Sequence, residues 1–188
     1  DQALSALGQP ALMKVYLDIF SEQKIITAQV LVTHEDFKNR ERNFNIRNTL
    51  TALLHAGALP IINENDTVSF SEITVGDNDQ LAGMVAQVMQ ADRLVLLTEA
   101  DGLYTGNPQD PKSEKLTVVA YDADLSFIQF ATKTHVGRGG MKTKIEAIRK
   151  LSPLGTDVYL ASYDHVNPVS RALSGKAGTW FQAAPLMK

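Results

Sequence analysis

Leu81-Ala82-Gly83-Met84-Val85-Ala86-Gln87-Val88, followed shortly by Arg93-Leu94-Val95-Leu96-Leu97-Thr98, sets a helical period next to a strand-like run. Leu81, Met84, Val85 and Val88 recur at i, i+3, i+4 and i+7, which lines one apolar face of a helix. The run from Arg93 to Thr98 is short, apolar and closed by a polar residue, as a buried strand is. Residues 29–33, 59–63 and 157–161 read as further buried strands. Ile145, Ile148 and Leu151 mark another helix, and residues 4–20 and 44–54 are helical in pattern. Strands alternating with helices predict an α/β fold with an open, mostly parallel sheet covered on both faces. Ligands of such folds sit outside the carboxyl ends of the strands.

At 188 residues and 44% hydrophobic content, one substantial core and a single globular unit are expected. Residues 69–75 alternate polar and apolar, as a small hairpin arm does, and residues 104–114, with Asn107-Pro108 and Asp110-Pro111, read as a loop. No repeat or low-complexity tract is present. Asp1 opens almost directly into a helical pattern with no first strand, so the chain is expected to begin inside a fold.

The chain has no cysteine, which excludes disulfides and thiolate metal sites and makes a cytoplasmic location the expectation. No apolar run approaches the ~20 residues of a membrane-spanning helix, and no charged start followed by an apolar stretch marks a leader. A net charge of -3 argues against broad nucleic-acid binding. The charge is unevenly spread. Between Asn48 and Asp92 there is no Lys or Arg, while Glu64, Asp66, Glu72, Asp77, Asp79 and Asp92 fall in or at the edge of that stretch. Lys133, Arg138, Lys142, Lys144, Arg149 and Lys150 crowd a second stretch against Glu146 alone. Two solvated faces, or an acidic wall opposite a basic one, both fit this pattern.

Four constellations carry candidate chemistry. Pro60-Ile61-Ile62-Asn63-Glu64-Asn65-Asp66 is an apolar strand ending in polar side chains, which also suit a turn. Val75-Gly76-Asp77-Asn78-Asp79-Gln80 precedes the helix with the 81, 84, 85, 88 stripe, where any one residue serves equally as an N-cap. Two such clusters with no cation between them offer oxygens to an ammonium group, and Asp66 and Asn78 suit that task. Gly137-Arg138-Gly139-Gly140-Met141-Lys142-Thr143-Lys144 leads into a helix; glycines admit a close phosphate and the helix start adds a positive dipole end. Its spacing is not that of a Walker A loop. Thr98, closing its strand, is placed to meet a nucleotide phosphate, although the following Asp101-Gly102 suits an ordinary turn as well. His34, His55, His135 and His165 show no metal-ligand spacing and are expected to be surface or structural residues, and no Ser or Thr has a neighbouring His to activate it.

Taken in order, Ala6-Leu7-Gly8-Gln9, Gln29-Val30-Leu31-Val32-Thr33, the 60–66 strand end, Gly76-Asp77-Asn78-Asp79, Asp101-Gly102-Leu103-Tyr104, Gly139-Gly140-Met141 with Thr143-Lys144, and Gly178-Thr179 span essentially the whole chain. In that order they resemble the glutamate 5-kinases of the amino-acid kinase family. The resemblance implies a three-layer αβα sandwich, with residues 1–188 forming one kinase domain that lacks its N-terminal part. It implies phosphorylation of L-glutamate by ATP, with Mg2+ accompanying the nucleotide, and a place in proline biosynthesis. A homo-oligomer, feedback inhibition by proline, and no nucleic-acid or membrane partner belong to the same expectation. By resemblance, Asp66, Asn78 and Asn63 bind glutamate, while Thr98, Glu99, Arg138, Gly139, Gly140, Met141, Lys142, Thr143 and Lys144 contact ATP. Lys144 and Asp79 serve the transfer, and no protein-bound metal is implied. The family usually has Asp where Glu99 stands and a small residue where Arg138 stands. Its opening strand with a Gly-rich turn and lysine, and its Ser-Gly-Ala segment, have no counterpart in these residues. N-acetylglutamate kinase, aspartate kinase and a non-catalytic ligand sensor of the same fold are the alternatives.

Overall fold

Contacts along the chain divide it into two units, Asp1–Thr74 and Val75–Lys188, and the computed structural model describes residues 2–68, 77–126, 128 and 140–185. In the first unit, helix α1 (Gln2–Glu22) leads into strand β1 (Ile26–Val32), then α2 (His34–Lys38), α3 (Arg40–His55) and strand β2 (Ala58–Glu64). Local chemistry places these ends. The Thr33 amide and hydroxyl both donate to Asp36 Oδ2, at 2.7 and 2.8 Å, opening α2. Those two bonds and Arg42 outweigh the upward push of partial burial, holding the Asp36 carboxyl below its usual range. Asn39 Oδ1 accepts from the amides of Glu41 and Arg42, each at 3.0 Å, and so caps α3. β1 and β2 pair in parallel, from Ile26 opposite Ala58 to Val32 opposite Glu64. Their carboxyl ends coincide, so Thr33, Asn63 and Glu64 gather at one edge.

The second unit begins with α4 (Asp77–Met89) and β3 (Arg93–Thr98), continues through β4 (Leu103–Tyr104), β5 (Lys115–Leu116) and β6 (Val118–Val119), and resumes at α5 (Met141–Leu151). A 3-10 turn (Ser152–Leu154) leads to β7 (Asp157–Ser162), α6 (Pro168–Leu173) and β8 (Thr179–Phe181). The main sheet runs β3-β7-β8-β6; β3 and β7 are parallel, β7 and β8 antiparallel, β8 and β6 parallel. β4 and β5 form a separate antiparallel pair.

β7 shows why this unit has three layers. Successive strand residues point to opposite faces. Val158 and Leu160, both 0% exposed, join Ala86 of α4 and Ile145, Ile148 and Leu151 of α5. Tyr159 and Ala161 join Ala172 of α6 with Val95 and Trp180. Helices therefore cover both faces of a mostly parallel sheet. Each fully buried aliphatic side chain contributes roughly 1.5–3 kcal/mol.

The apolar runs locate the strands with small boundary shifts: β1 begins at Ile26 and β7 ends at Ser162, beyond the expected limits. The α4 stripe differs more. Leu81 and Ala86 are buried while Met84, Val85 and Val88 are only partly so. A Cβ on Gly83 would stand 3.9 Å from Ala147 Cβ and from Leu151 Cδ1, so small residues bring α4 close to α5. The 104–114 loop is closed by the β4–β5 pair. The expected arm at 69–75 lies outside the described residues.

Candidate functional site

Lys144 lies near the start of α5 and is 8% exposed, and its Nζ stands 2.7 Å from Oδ2 of Asp79 in the first turn of α4. A lysine so far removed from water requires a partner. The close α4–α5 packing at Gly83 and Ala147 supplies one from 65 residues away. Asn78 precedes Asp79 on the same helix and is exposed.

The beginning of α5 is electrostatically unusual. Gly140 is its N-cap, with the Thr143 hydroxyl donating to the Gly140 carbonyl at 2.7 Å. No acidic residue occupies the first turn, whereas Lys142 and Lys144 both lie near this end, where amide dipoles already place positive charge. Cations disfavoured at a helix start create a position that an anion relieves. Gly140 has φ -73°, and a Cβ added there meets nothing within 4 Å. Among the described residues nothing crowds that position, and its φ does not require glycine. Arg138 and Gly139 lie outside the described residues.

A second group gathers at the carboxyl ends of β3 and β7. Thr98 is partly buried and its carbonyl accepts the Tyr163 amide at 3.1 Å; Glu99 is exposed. Desolvation, with the Glu99 and Asp164 carboxylates, raises the Tyr163 hydroxyl above its usual pKa. Asp101, just beyond, is held by Lys115 Nζ at 2.9 Å from Oδ2, by His165 Nε2 at 2.8 Å from Oδ1, and by the Ser162 amide at 3.5 Å. Burial pushes its carboxyl up, but Lys115 and His165 prevail and lower it from 3.8 to about 2. Local pattern gave Asp101 only a turn role. Its partners lie 14 to 64 residues away, beyond the reach of any sequence window.

In the first unit, Asn63 is the penultimate residue of β2 and its Nδ2 donates to Gln9 Oε1 at 3.2 Å, tying the strand end to α1. Asp66 is partly buried in the turn that follows. Between them in sequence, Glu64 is 5% exposed and its Oε2 lies 3.1 Å from His34 Nδ1. His34 and His165, expected as surface or structural residues, are each partly buried against a carboxylate. Among the described residues, no group of three or more His, Asp or Glu side chains is arranged to hold a metal ion, and no helix is long and apolar enough to cross a membrane.

Residues 1–162 match the profile of the Amino acid kinase family. The chain belongs to that family. Among curated relatives of this amino acid kinase chain, a glutamate 5-kinase from Trichlorobacter lovleyi is 42% identical over 186 residues, spanning 97% of this chain and 50% of that protein. A glutamate 5-kinase from Myxococcus xanthus is 43% identical over 184 residues, spanning 96% and 49%. The chain thus spans about half the length of the curated relatives it matches. Two solved structures share the fold. Aspartokinase III of E. coli, in complex with aspartate and ADP, has a TM-score of 0.63 at 15% identity and covers 98% of this chain and 41% of that one. UMP kinase of Ureaplasma parvum has a TM-score of 0.57 at 10% identity, with 86% and 62% covered.

Proposed function

We propose that this amino acid kinase chain carries out ATP-dependent phosphorylation of the γ-carboxylate of L-glutamate, giving γ-glutamyl phosphate, the first step of proline biosynthesis, in the cytoplasm. The observation that carries this reading is the Lys144–Asp79 pair at the lysine-rich, acid-free start of α5, in a chain over 40% identical to glutamate 5-kinases. A homo-oligomer, control by proline and the absence of nucleic-acid or membrane partners belong to the same reading, by family likeness.

The reaction needs positioning and charge neutralisation more than covalent help. A γ-carboxylate oxygen of glutamate attacks the γ-phosphorus of ATP, the bond to the β–γ bridging oxygen breaks, and ADP leaves. A carboxylate is already a nucleophile, so no general base is assigned. Asp66, Asn78 and Asn63 hold glutamate, with Asp66 and Asn78 supplying oxygens to its α-ammonium. Thr98, Glu99 and the run Arg138, Gly139, Gly140, Met141, Lys142 and Thr143 would hold MgATP, whose Mg2+ would supply charge neutralisation. Lys144 neutralises charge on the migrating group, and Asp79 keeps the ammonium aimed. Titration calorimetry with MgATP and with glutamate, followed by hydroxylamine trapping of the acyl phosphate, tests the reading. Binding of both ligands with trapped product supports it. Binding without product indicates a ligand sensor of the same fold, and no binding of either ligand overturns the assignment.

A further inference from the structure

The loop between β4 and β5 is bonded to itself: the Thr105 amide donates to the Glu114 carbonyl, the Gly106 amide to Ser113 Oγ and the Glu114 amide to Thr105 Oγ1, each at 3.0 Å. Its base is pinned to β8. The Leu103 amide donates to Thr179 Oγ1 at 2.7 Å, and the Thr179 hydroxyl donates to the Leu116 carbonyl. A stiff arm pinned at one point can still tilt. Asp101 supplies the second point, because Lys115 belongs to β5, His165 to the segment between β7 and α6, and Ser162 to the end of β7.

We propose that Asp101 is a positioning residue for nucleotide binding, fixing the β4–β5 arm and the β7–α6 segment over the carboxyl ends of β3 and β7. This rests on the reading that Thr98 and Glu99 meet ATP. Parallel strand ends are where ligands of open α/β sheets bind, and Asp101 follows Thr98 and Glu99 in the same turn. The side chains of Asp101, Lys115 and His165 are 25%, 30% and 30% exposed, so the cluster sits at the mouth of the sheet, outside its core. Charge pairs this open add little to global stability. Their main physical effect is to remove the arm's freedom before a ligand arrives, which lowers the ordering cost of binding.

The test compares wild-type protein with Asp101→Asn, which keeps shape and removes charge, and with Lys115→Met. Calorimetry with MgATP is paired with steady-state kinetics for both substrates. The expected result is a Kd and KM for MgATP raised roughly tenfold in each variant, with kcat and the KM for glutamate within about twofold of wild type. Unchanged MgATP affinity, or a fall in kcat with both KM values altered alike, overturns the inference while leaving the kinase reading intact. Should Asp101→Asn fail to fold, Lys115→Met and His165→Gln carry the same readout, and normal MgATP binding by both overturns it. Wild-type protein that binds no MgATP sinks the kinase reading itself, and this inference with it.

Discussion

Lys144 holds its ammonium 2.7 Å from Asp79, with the two side chains 10% and 15% exposed. A charge pair at about 4 Å is worth roughly 4 kcal/mol at an effective dielectric near 20, so losing one such contact in the transition state costs on the order of 10^2 to 10^3 in rate. Lys144→Met keeps the buried stem and removes the charge. Turnover is expected to fall by about that factor, while the KM for glutamate stays within about threefold. Circular dichroism on the same sample checks folding, and turnover equal to wild type refutes the role. Asp101 makes a separate prediction about acid. Its carboxyl titrates near 2 in the folded chain against 3.8 ordinarily, so it favours folding wherever it is ionised in both states. That contribution is fully present above about pH 4 and is lost as pH falls towards 2, because the unfolded chain binds its proton first. The full linkage value of such a shift is about 2.4 kcal/mol, and solvent screening of so open a cluster leaves about 1 kcal/mol or less of it. Denaturant midpoints measured between pH 6 and 2 are expected to fall less steeply for Asp101→Asn than for wild type.

Two glycines at element boundaries separate what the fold requires from what a ligand requires. Gly178, before β8, has φ +78°, and an added Cβ would stand 2.1 Å from the Leu160 carbonyl oxygen, a backbone atom in the adjacent strand. Gly178→Ala is therefore expected to cost roughly 2–4 kcal/mol by combining left-handed strain with a displaced β7–β8 pair. Gly140 has negative φ, and among the described residues nothing lies within 4 Å of an added Cβ. Gly140→Ala is expected to change stability by less than about 1 kcal/mol, yet to weaken MgATP binding several-fold, because its methyl group occupies the approach to the α5 amides. Thermal melts and MgATP titration on both variants check this. A Gly140→Ala protein with unaltered nucleotide affinity removes the phosphate role from that glycine. Gly140→Ala as destabilised as Gly178→Ala makes the glycine a requirement of the fold.

At the scale of the whole chain, the long elements were legible and their cross-connections were not. The apolar run of β3 gave both of its ends, because six residues closed by Thr98 leave little ambiguity. β4, β5 and β6 are two residues each, too short to carry a period, and α4 buries Leu81 and Ala86 ahead of Met84, Val85 and Val88 because close helix packing overrides part of the stripe. Asp79 and Lys144 were identifiable singly, whereas a 2.7 Å contact across 65 residues is a property of packing. Asp101 reads as a turn residue in sequence, and only the fold sets Lys115 and His165 beside it.

Substrate choice is the last property that depends on the whole chain. Glutamate and N-acetylglutamate present the same γ-carboxylate to ATP and differ at the α-nitrogen, which is an ammonium only in the first. A charge-assisted contact of that ammonium with Asp66 is worth roughly 1.5–3 kcal/mol, so glutamate is expected to be preferred about 10^1 to 10^2-fold in kcat/KM. Asp66→Asn keeps the shape and removes the charge, and the preference is expected to shrink most of the way to unity through loss of glutamate activity. The measurement is a competition between the two acids at fixed MgATP. A wild-type preference for the acetylated acid moves the chain to a different acceptor within the same family. An undiminished preference in Asp66→Asn takes ammonium recognition away from that residue while leaving the role proposed for Lys144 untouched.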